Sequence, residues 1–324
     1  TRYWRDWSSD VCSSDLDLPE FYRQVPGQVL SFSINKYIYI ASHPEFHGHY
    51  RMAYSKVENV HQINEINHPL LRNSLNFLGI DFGIEIGSFA DIPSKGSGLG
   101  SSSAFTVGLI DNLNKYKGYS LSQMEIAASA YKIEREIVGD PVGKQDHYGT
   151  AIGGLKHIKF NSDGTVELDT IKLQEANFVT LRNQCKLVYT GITRDAKSIL
   201  IRNAQYLVSQ PDYVARHMDL IELIPAGTSA ILRNDMKEVS KLLNEAWKIK
   251  NYNDNASGVD QIDAIYVEMK KSGILGAKLL GAGGGGFFLG IGDPEAWSQY
   301  EINYPKRKII DIEIDTMGVT TYEI

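Results

Sequence analysis

Two glycine-rich stretches carry the most chemistry. The first is Pro93-Ser-Lys-Gly-Ser-Gly-Leu-Gly-Ser-Ser-Ser-Ala104. Its glycines let a backbone approach a ligand without Cβ collisions. Phe105, Leu109 and Leu113 then recur every four residues, which predicts a helix beginning near Ser101. A helix N terminus presents unpaired N–H groups and about half a positive charge. Lys95, Gly96, Ser97, Gly98, Leu99, Gly100, Ser101, Ser102 and Ser103 together make an anion cradle suited to a di- or triphosphate. Serine hydroxyls in such a cradle also suit Mg²⁺, which prefers oxygen ligands. The spacing is G-x-G-x-G, not the dinucleotide fingerprint, and no lysine follows Gly100 as a Walker A loop requires.

The second stretch, Gly281-Ala-Gly-Gly-Gly-Gly-Phe-Phe-Leu289, contains Gly283 and Gly284. So many glycines imply close approach to another segment or to a ligand. Between the two stretches lies Gly139-Asp-Pro-Val-Gly-Lys-Gln-Asp146. Asp146 follows a glycine-rich turn and is free to project into a cleft or to cap that turn; Asp140, before Pro141, is the better cap. Glu134 and Glu136 are two residues apart, about 200° around a helix, so only one faces a given site. Arg194 and Lys197 follow Thr190-Gly191 at a strand-to-helix junction, where they would receive an oxyanion or remain solvated surface charge. His43, His47 and His49 read as a polar loop, because no Cys or carboxylate completes a metal set.

The elements that must position these residues follow from pattern. Val29 to Ile40 alternates with period two and predicts a half-buried strand. Leu70 to Leu78 fits a helix closed by Gly79, and Phe82, Ile84 and Ile86 a short strand. Ser122-Gln-Met-Glu125 is a capping box for a helix that ends at Gly139-Asp140-Pro141. Lys186–Tyr189 and Ile309–Asp315 read as strands; helices are predicted over 196–207, 215–233, 236–250 and 260–272. Strands and helices mix without strict alternation, which favours α+β over a doubly wound sheet. Cys185 reads as a small core hydrophobe and Trp247 as core or domain-interface packing.

Composition bounds the function. At about 150 residues per domain, 324 residues suggest two domains or one large one, with the seam placed near residue 180. Hydrophobic residues make up 43%, enough for a real core, and no apolar run reaches transmembrane length. The net charge of −6 disfavours a sequence-independent nucleic-acid binder. Two cysteines exclude a disulfide scaffold and point to a reducing, cytoplasmic setting.

The ordered pair PSKGSGLGSSSA and GAGGGGFF, about 180 residues apart, resembles the GHMP kinases. The segments DLPEFYRQ, SINKYIYI, IEREIVGDPVGKQDHYGTAIGGL and GILGAKLLGAGGGGFF resemble, within them, the D-glycero-D-manno-heptose 7-phosphate kinases, over essentially residues 17–324. The resemblance implies a two-domain α+β fold: an ATP-binding domain over 17–180 like ribosomal protein S5 domain 2, and a ferredoxin-like domain over 181–324. It implies ATP and Mg²⁺, a small sugar phosphate as partner rather than nucleic acid or membrane, and transfer to an anomeric hydroxyl in nucleotide-activated heptose synthesis for lipopolysaccharide, S-layer or capsule; another sugar acceptor, fucose- or mannose-like, and a non-catalytic ATP or sugar binder are the alternatives. By the same resemblance Asp146 orients or deprotonates the sugar hydroxyl. Glu134 and Ser102 hold Mg²⁺, with Ser101 next, and Asp17 contacts the sugar. Oligomeric state is not readable.

The resemblance fails at the start. The family opens with a strand and a motif of which only Asp17-Leu18-Pro19 remains. Residues 6–16, DWSSDVCSSDL, reverse-translate to a string resembling a sequencing-library adapter, so residues 1–16 are expected to be a non-native leader in which Trp4, Trp7 and Cys12 belong to no fold. The first strand would then be missing. A buried aliphatic contributes about 1.5–3 kcal/mol and a domain's net stability is about 5–15 kcal/mol, so low stability or activity is expected.

Overall fold

The computed structural model describes residues 7–12, 15–93, 98–193, 196–251 and 259–323. Three four-stranded sheets organise them. The first runs, in spatial order, Trp7–Cys12 (β1), Gly27–Ile34 (β2), Leu155–Phe160 (β7) and Val166–Ile171 (β8), all antiparallel. The second runs Ile38–Pro44 (β3), Ile84–Ala90 (β6), Tyr50–Ala53 (β4) and Val57–Val60 (β5), with β4 and β6 parallel. The third runs Gly276–Leu279 (β10), Phe287–Ile291 (β11), Cys185–Tyr189 (β9) and Ile309–Asp311 (β12). Its neighbours are all antiparallel, and its crossing order is that of a ferredoxin-like unit. Helices Ala196–Ser209, Pro211–Leu232, Met236–Asn251 and Val259–Lys271 intervene between β9 and β10.

The run Val29–Ile40 is not one half-buried strand. It breaks after Ile34, where the Lys36 N–H turns back to the Ile34 carbonyl at 2.8 Å, and its halves enter different sheets. β2 is covered on both faces. On the leucine face the helix Pro211–Leu232 closes in, near enough that a Cβ on Gly227 would lie 3.7 Å from Leu30 Cδ2. On the serine face, Ser33 Oγ donates towards the Gly149 and Ile152 carbonyls at 3.0 Å and accepts from buried Lys156 Nζ at 2.8 Å. Alternation predicted a wet face; hydrogen bonding to carbonyls is what allows serine to occupy a dry one.

The expectation of a missing first strand is corrected. Trp7–Cys12 pairs with β2, from Trp7 opposite Ile34 to Cys12 opposite Leu30, with an irregularity between Asp10 and Cys12. The ladder uses main-chain N–H and C=O groups that nearly every residue carries, so an open edge of β2 accepts a strand of almost any sequence. Leu16 is fully buried and Asp15 is 4% exposed, so the end of the presumed leader belongs to the core. Trp4 lies outside the described residues.

Ile309–Asp315 is likewise divided. Only Ile309–Asp311 extends the third sheet; beyond it Ile314 bridges Ile34, and Gly154 N–H donates to the Asp315 carbonyl at 2.6 Å. The C-terminal segment therefore laces the third sheet to the first. Trp247 packs edge-on against Phe288 at 5.4 Å in the core beneath the third sheet. Cys185 is buried and free, and burial pushes its thiol up to about 12. Among the described residues no helix is long and apolar enough to cross a membrane.

Candidate active site

The helix Ser101–Tyr116 begins where its sequence predicts, with Gly100 as its N-cap at φ 71°. That conformation is left-handed, and space as well as strain demands glycine: a Cβ there would lie 2.7 Å from Asp146 Cγ. The carboxylate of Asp146 is thus stacked against the start of the helix. Gly98, also left-handed at φ 70°, meets the second glycine stretch, for its Cβ would lie 2.7 Å from the Leu280 carbonyl oxygen. A Cβ on Gly281 would in turn lie 2.5 Å from Gly98 Cα. The close approach expected of the second loop is therefore made, at least at Gly281, to the first loop. Lys250 Nζ donates to the Gly281 carbonyl and ties the contact down. Lys95, Gly96 and Ser97 lie outside the described residues.

Asp146 stands in the first turn of the short helix Gln145–Ala151. Asp17 braces the turn ahead of it: the Gln145 N–H donates to Asp17 Oδ2 at 2.8 Å, and the Lys144 N–H to the Asp17 carbonyl at 3.3 Å. Gly143 is required because a Cβ would lie 2.0 Å from that same carboxylate oxygen. The side chain of Lys144 is boxed, its ammonium 4.9 Å from the Tyr22 ring centroid and 5.4 Å from that of Tyr131. Burial, with the nearby Arg23 charge, holds its pKa below the ordinary lysine value. Asp17 is thus coupled to the turn that carries Asp146.

Glu134 is 1% exposed and lies in a π-helical turn, Lys132–Ile137, that ends the helix begun by the Ser122 capping box. Such turns mark functional sites often. Glu136 is exposed, so of the two glutamates Glu134 points inward. Its Oε2 lies 2.9 Å from His147 Nε2 and accepts from Ser103 Oγ at 3.3 Å, while its Oε1 is buried with no hydrogen-bond partner. Of the first-turn serines, Ser103 is buried and reaches Glu134 in this structure, while Ser102 is exposed. Neighbours on a helix point about 100° apart, so the two hydroxyls leave it in different directions. His147, fully buried, had no place among the sequence candidates; its position directly after Asp146 was the available signal.

Gly283 and Gly284 lie in the loop between β10 and β11, with Gly283 at φ 96°. That loop also presses on the segment after β9, where a Cβ on Gly285 would lie 2.3 Å from the Ile192 carbonyl oxygen. Arg194 lies outside the described residues. Lys197 Nζ is 2.6 Å from Asp140 Oδ1, so its charge is directed at a carboxylate. Around the histidine loop, Glu45 Oε2 accepts the His47 and His49 N–H groups, each at 2.8 Å. Among the described residues no three His, Cys, Asp or Glu side chains gather as a metal set.

A glycine N-cap, a carboxylate stacked against it and a second carboxylate buried at the helix's first turn suit phosphoryl transfer, in which positioning and charge do most of the work. The chain matches the GHMP kinases N terminal domain over residues 65–154 and the GHMP kinases C terminal domain over 228–298. It is 30% identical over 244 residues to D-glycero-alpha-D-manno-heptose 7-phosphate kinase of Campylobacter jejuni, covering 73% of this chain and 70% of that one. It is also 30% identical over 224 residues to the L-fucokinase/L-fucose-1-P guanylyltransferase of Bacteroides fragilis, covering 66% of this chain but only 23% of that protein's length. The fold superposes on the crystal structure of a D-glycero-D-manno-heptose 1-phosphate kinase from Bacteroides thetaiotaomicron with a TM-score of 0.77 at 19% identity, over 100% and 99% of the two chains. The chain belongs to the GHMP kinases. It is a sugar kinase, a phosphotransferase with an alcohol group as acceptor, and kinases of this family use ATP as co-substrate.

Proposed function

We propose that the chain transfers the γ-phosphoryl group of ATP to the anomeric hydroxyl of D-glycero-D-manno-heptose 7-phosphate, giving the 1,7-bisphosphate. The observation that carries the phosphoryl-transfer part is the stacking of Asp146 on Gly100 at the start of the helix Ser101–Tyr116. The acceptor is supported by the C. jejuni relative. The reading carries a cytoplasmic setting, a place in nucleotide-activated heptose synthesis, and a domain seam near residue 180.

In this reading the amides and serine hydroxyls of the helix start cradle the ATP phosphates, with Lys95, Gly96 and Ser97 completing the loop. Asp146 accepts the proton of the acceptor hydroxyl or orients that hydroxyl towards the γ-phosphorus. Asp17 holds the turn beneath Asp146 and contacts sugar hydroxyls, and Gly283, Gly284 and Arg194 meet the substrate. Glu134 fits a Mg²⁺ ion, because its buried Oε1 lacks a partner and hard oxygen donors suit that cation. Glu134 with the first-turn hydroxyls of Ser102 and Ser103 would hold it, and His147 fixes the carboxylate from behind. When bound, Mg²⁺ neutralises charge that develops on the phosphates.

The test is phosphorus NMR of heptose 7-phosphate incubated with ATP and Mg²⁺, beside an Asp146→Asn control. Loss of a general base lowers rates by about 10²–10⁴-fold. A new anomeric phosphate that disappears in the control supports the acceptor and the aspartate's role together. Phosphorylation of fucose with none of heptose 7-phosphate would replace the acceptor with that suggested by the fucokinase relative.

A further inference from the structure

A second buried carboxylate lies outside the machinery described so far. Asp15 is 4% exposed, and its Oδ2 accepts from Tyr213 Oη at 2.8 Å and from Asn203 Nδ2 at 3.0 Å. His217 Nε2 stands 3.5 Å from the same oxygen. His217 Nδ1 lies 2.7 Å from the Tyr213 carbonyl and so donates to it, and Nε2 can donate to an anion only when the ring carries its second proton. These three buried side chains come from the helices Ala196–Ser209 and Pro211–Leu232, about 200 residues away along the chain. Asp15 itself fits the place poorly. Its φ is 67°, in the left-handed region, and its Oδ1 is buried with no hydrogen-bond partner.

Asn203 and Tyr213 donate to one oxygen while the other has none, so the donors are gathered on one side of a buried anion rather than shared over the carboxylate. A tetrahedral phosphate monoester presents three oxygens to such a set. The pocket also adjoins the acceptor side of the site. Asp15 is two residues from Asp17, a span of at most about 7 Å, and Asp17 braces the turn carrying Asp146. The charge of Lys250 acts on Asp15, and Lys250 also binds the Gly281 carbonyl, linking the pocket to the glycine loops.

We propose that Asn203, Tyr213 and His217 form the receptor for the distal phosphate of the sugar substrate, and that the carboxylate of Asp15 occupies this receptor in the present chain. The assignment rests on the sugar-phosphate reading of the acceptor. Asp15 then competes with the substrate's own anion, and removing its side chain opens the pocket.

The experiment is isothermal titration of the full chain with inorganic phosphate, without nucleotide or sugar. Asp15→Gly, which suits the left-handed backbone, is expected to bind phosphate about tenfold or more tightly than the parent, the effect of two or more charge-assisted hydrogen bonds. Asp15→Asn keeps the pocket filled and should bind like the parent. Tyr213→Phe with Asn203→Ala, added to Asp15→Gly, should abolish the gain. A cooperatively melting Asp15→Gly chain with no gain in phosphate affinity overturns the proposal. If glycine unfolds the turn, Asp15→Ser vacates most of the pocket and is judged by the same criterion.

A second arm measures ADP release with heptose 7-phosphate and with unphosphorylated heptose. Tight phosphate binding with neither sugar turned over sinks the acceptor and leaves the pocket standing. Turnover of heptose 7-phosphate with KM and phosphate affinity unchanged by Asp15→Gly sinks the pocket and leaves the kinase standing.

Discussion

Glu134 and Asp15 are both buried carboxylates, each has a histidine partner, and each keeps one oxygen without a hydrogen bond. They differ in how the chain assembles them. The partners of Glu134, Ser103 and His147, stand 31 and 13 residues from it, on helices that flank the same glycine loop. The partners of Asp15 are drawn from two distant helices, and its backbone is bent into a conformation that side chains seldom adopt. Both carboxylates gather their hydrogen bonds on one oxygen and leave the other bare. What separates them is the span of chain that supplies the partners, and with it the proposal that one faces a cation and the other stands in for an anion.

That contrast breaks first at Glu134. Glu134→Gln keeps the shape and removes the charge, and sugar-kinase turnover should fall by about 10²-fold or more, on the scale of a lost transition-state charge stabiliser. Thermal melting should move little. A variant that keeps near-parental turnover would remove Glu134 from the cation site. Next in size is His147→Ala, which takes away the group that orients Glu134. Loss of such a support weakens metal binding by about 10–100-fold, read as a rise in the Mg²⁺ concentration for half-maximal rate. A merely structural histidine would lower stability and leave that concentration where it was.

Gly100→Ala separates backbone strain from charge. The new Cβ must share space with Asp146, and the left-handed backbone alone costs about 1–2 kcal/mol in a residue with a side chain. A drop in denaturant midpoint together with a lost rate is expected; an alanine that leaves both unchanged would show that Asp146 has room to move. The smallest effect concerns acid. Burial by itself raises the Asp15 carboxyl, but the His217 hydrogen bond and charge, with Lys250 and Tyr213, outweigh it and hold it below its ordinary value of 3.8. A lowered carboxyl pKa stabilises the fold above the unfolded value and loses that contribution as pH falls through the folded one. Below about pH 4 the parent should therefore lose stability more steeply than Asp15→Asn, as followed by melting temperature against pH. Parallel curves would mean that Asp15 is not charged in the fold.

Much of the site was legible before the fold. The glycine-serine loop announced its helix, because helix starts depend on spacing within a few residues. The capping box at Ser122 placed the helix that leads to Glu134 for the same reason. Less legible was which serine faces Glu134, since a one-residue rotation along a helix turns the side chain by about 100° and no local pattern records it. His147 carries one local signal, its place directly after Asp146, and that signal says nothing about a glutamate thirteen residues earlier.

Family, overall fold class and the order of the two glycine loops were determined by the sequence alone, through motifs whose parts lie close together in the chain. Tertiary structure decided the rest. It drew the two glycine loops into contact, split Val29–Ile40 between two sheets, returned the C-terminal segment to the first sheet, and set Asp15 among donors from remote helices. It also filled the edge of β2 with residues 7–12. The physical reason is common to all of these. Local signals act through backbone dihedrals and side-chain spacing, which a few neighbouring residues specify. Ladders, close approaches and buried polar pockets act through space, and there the partner's position is set by the whole packed chain.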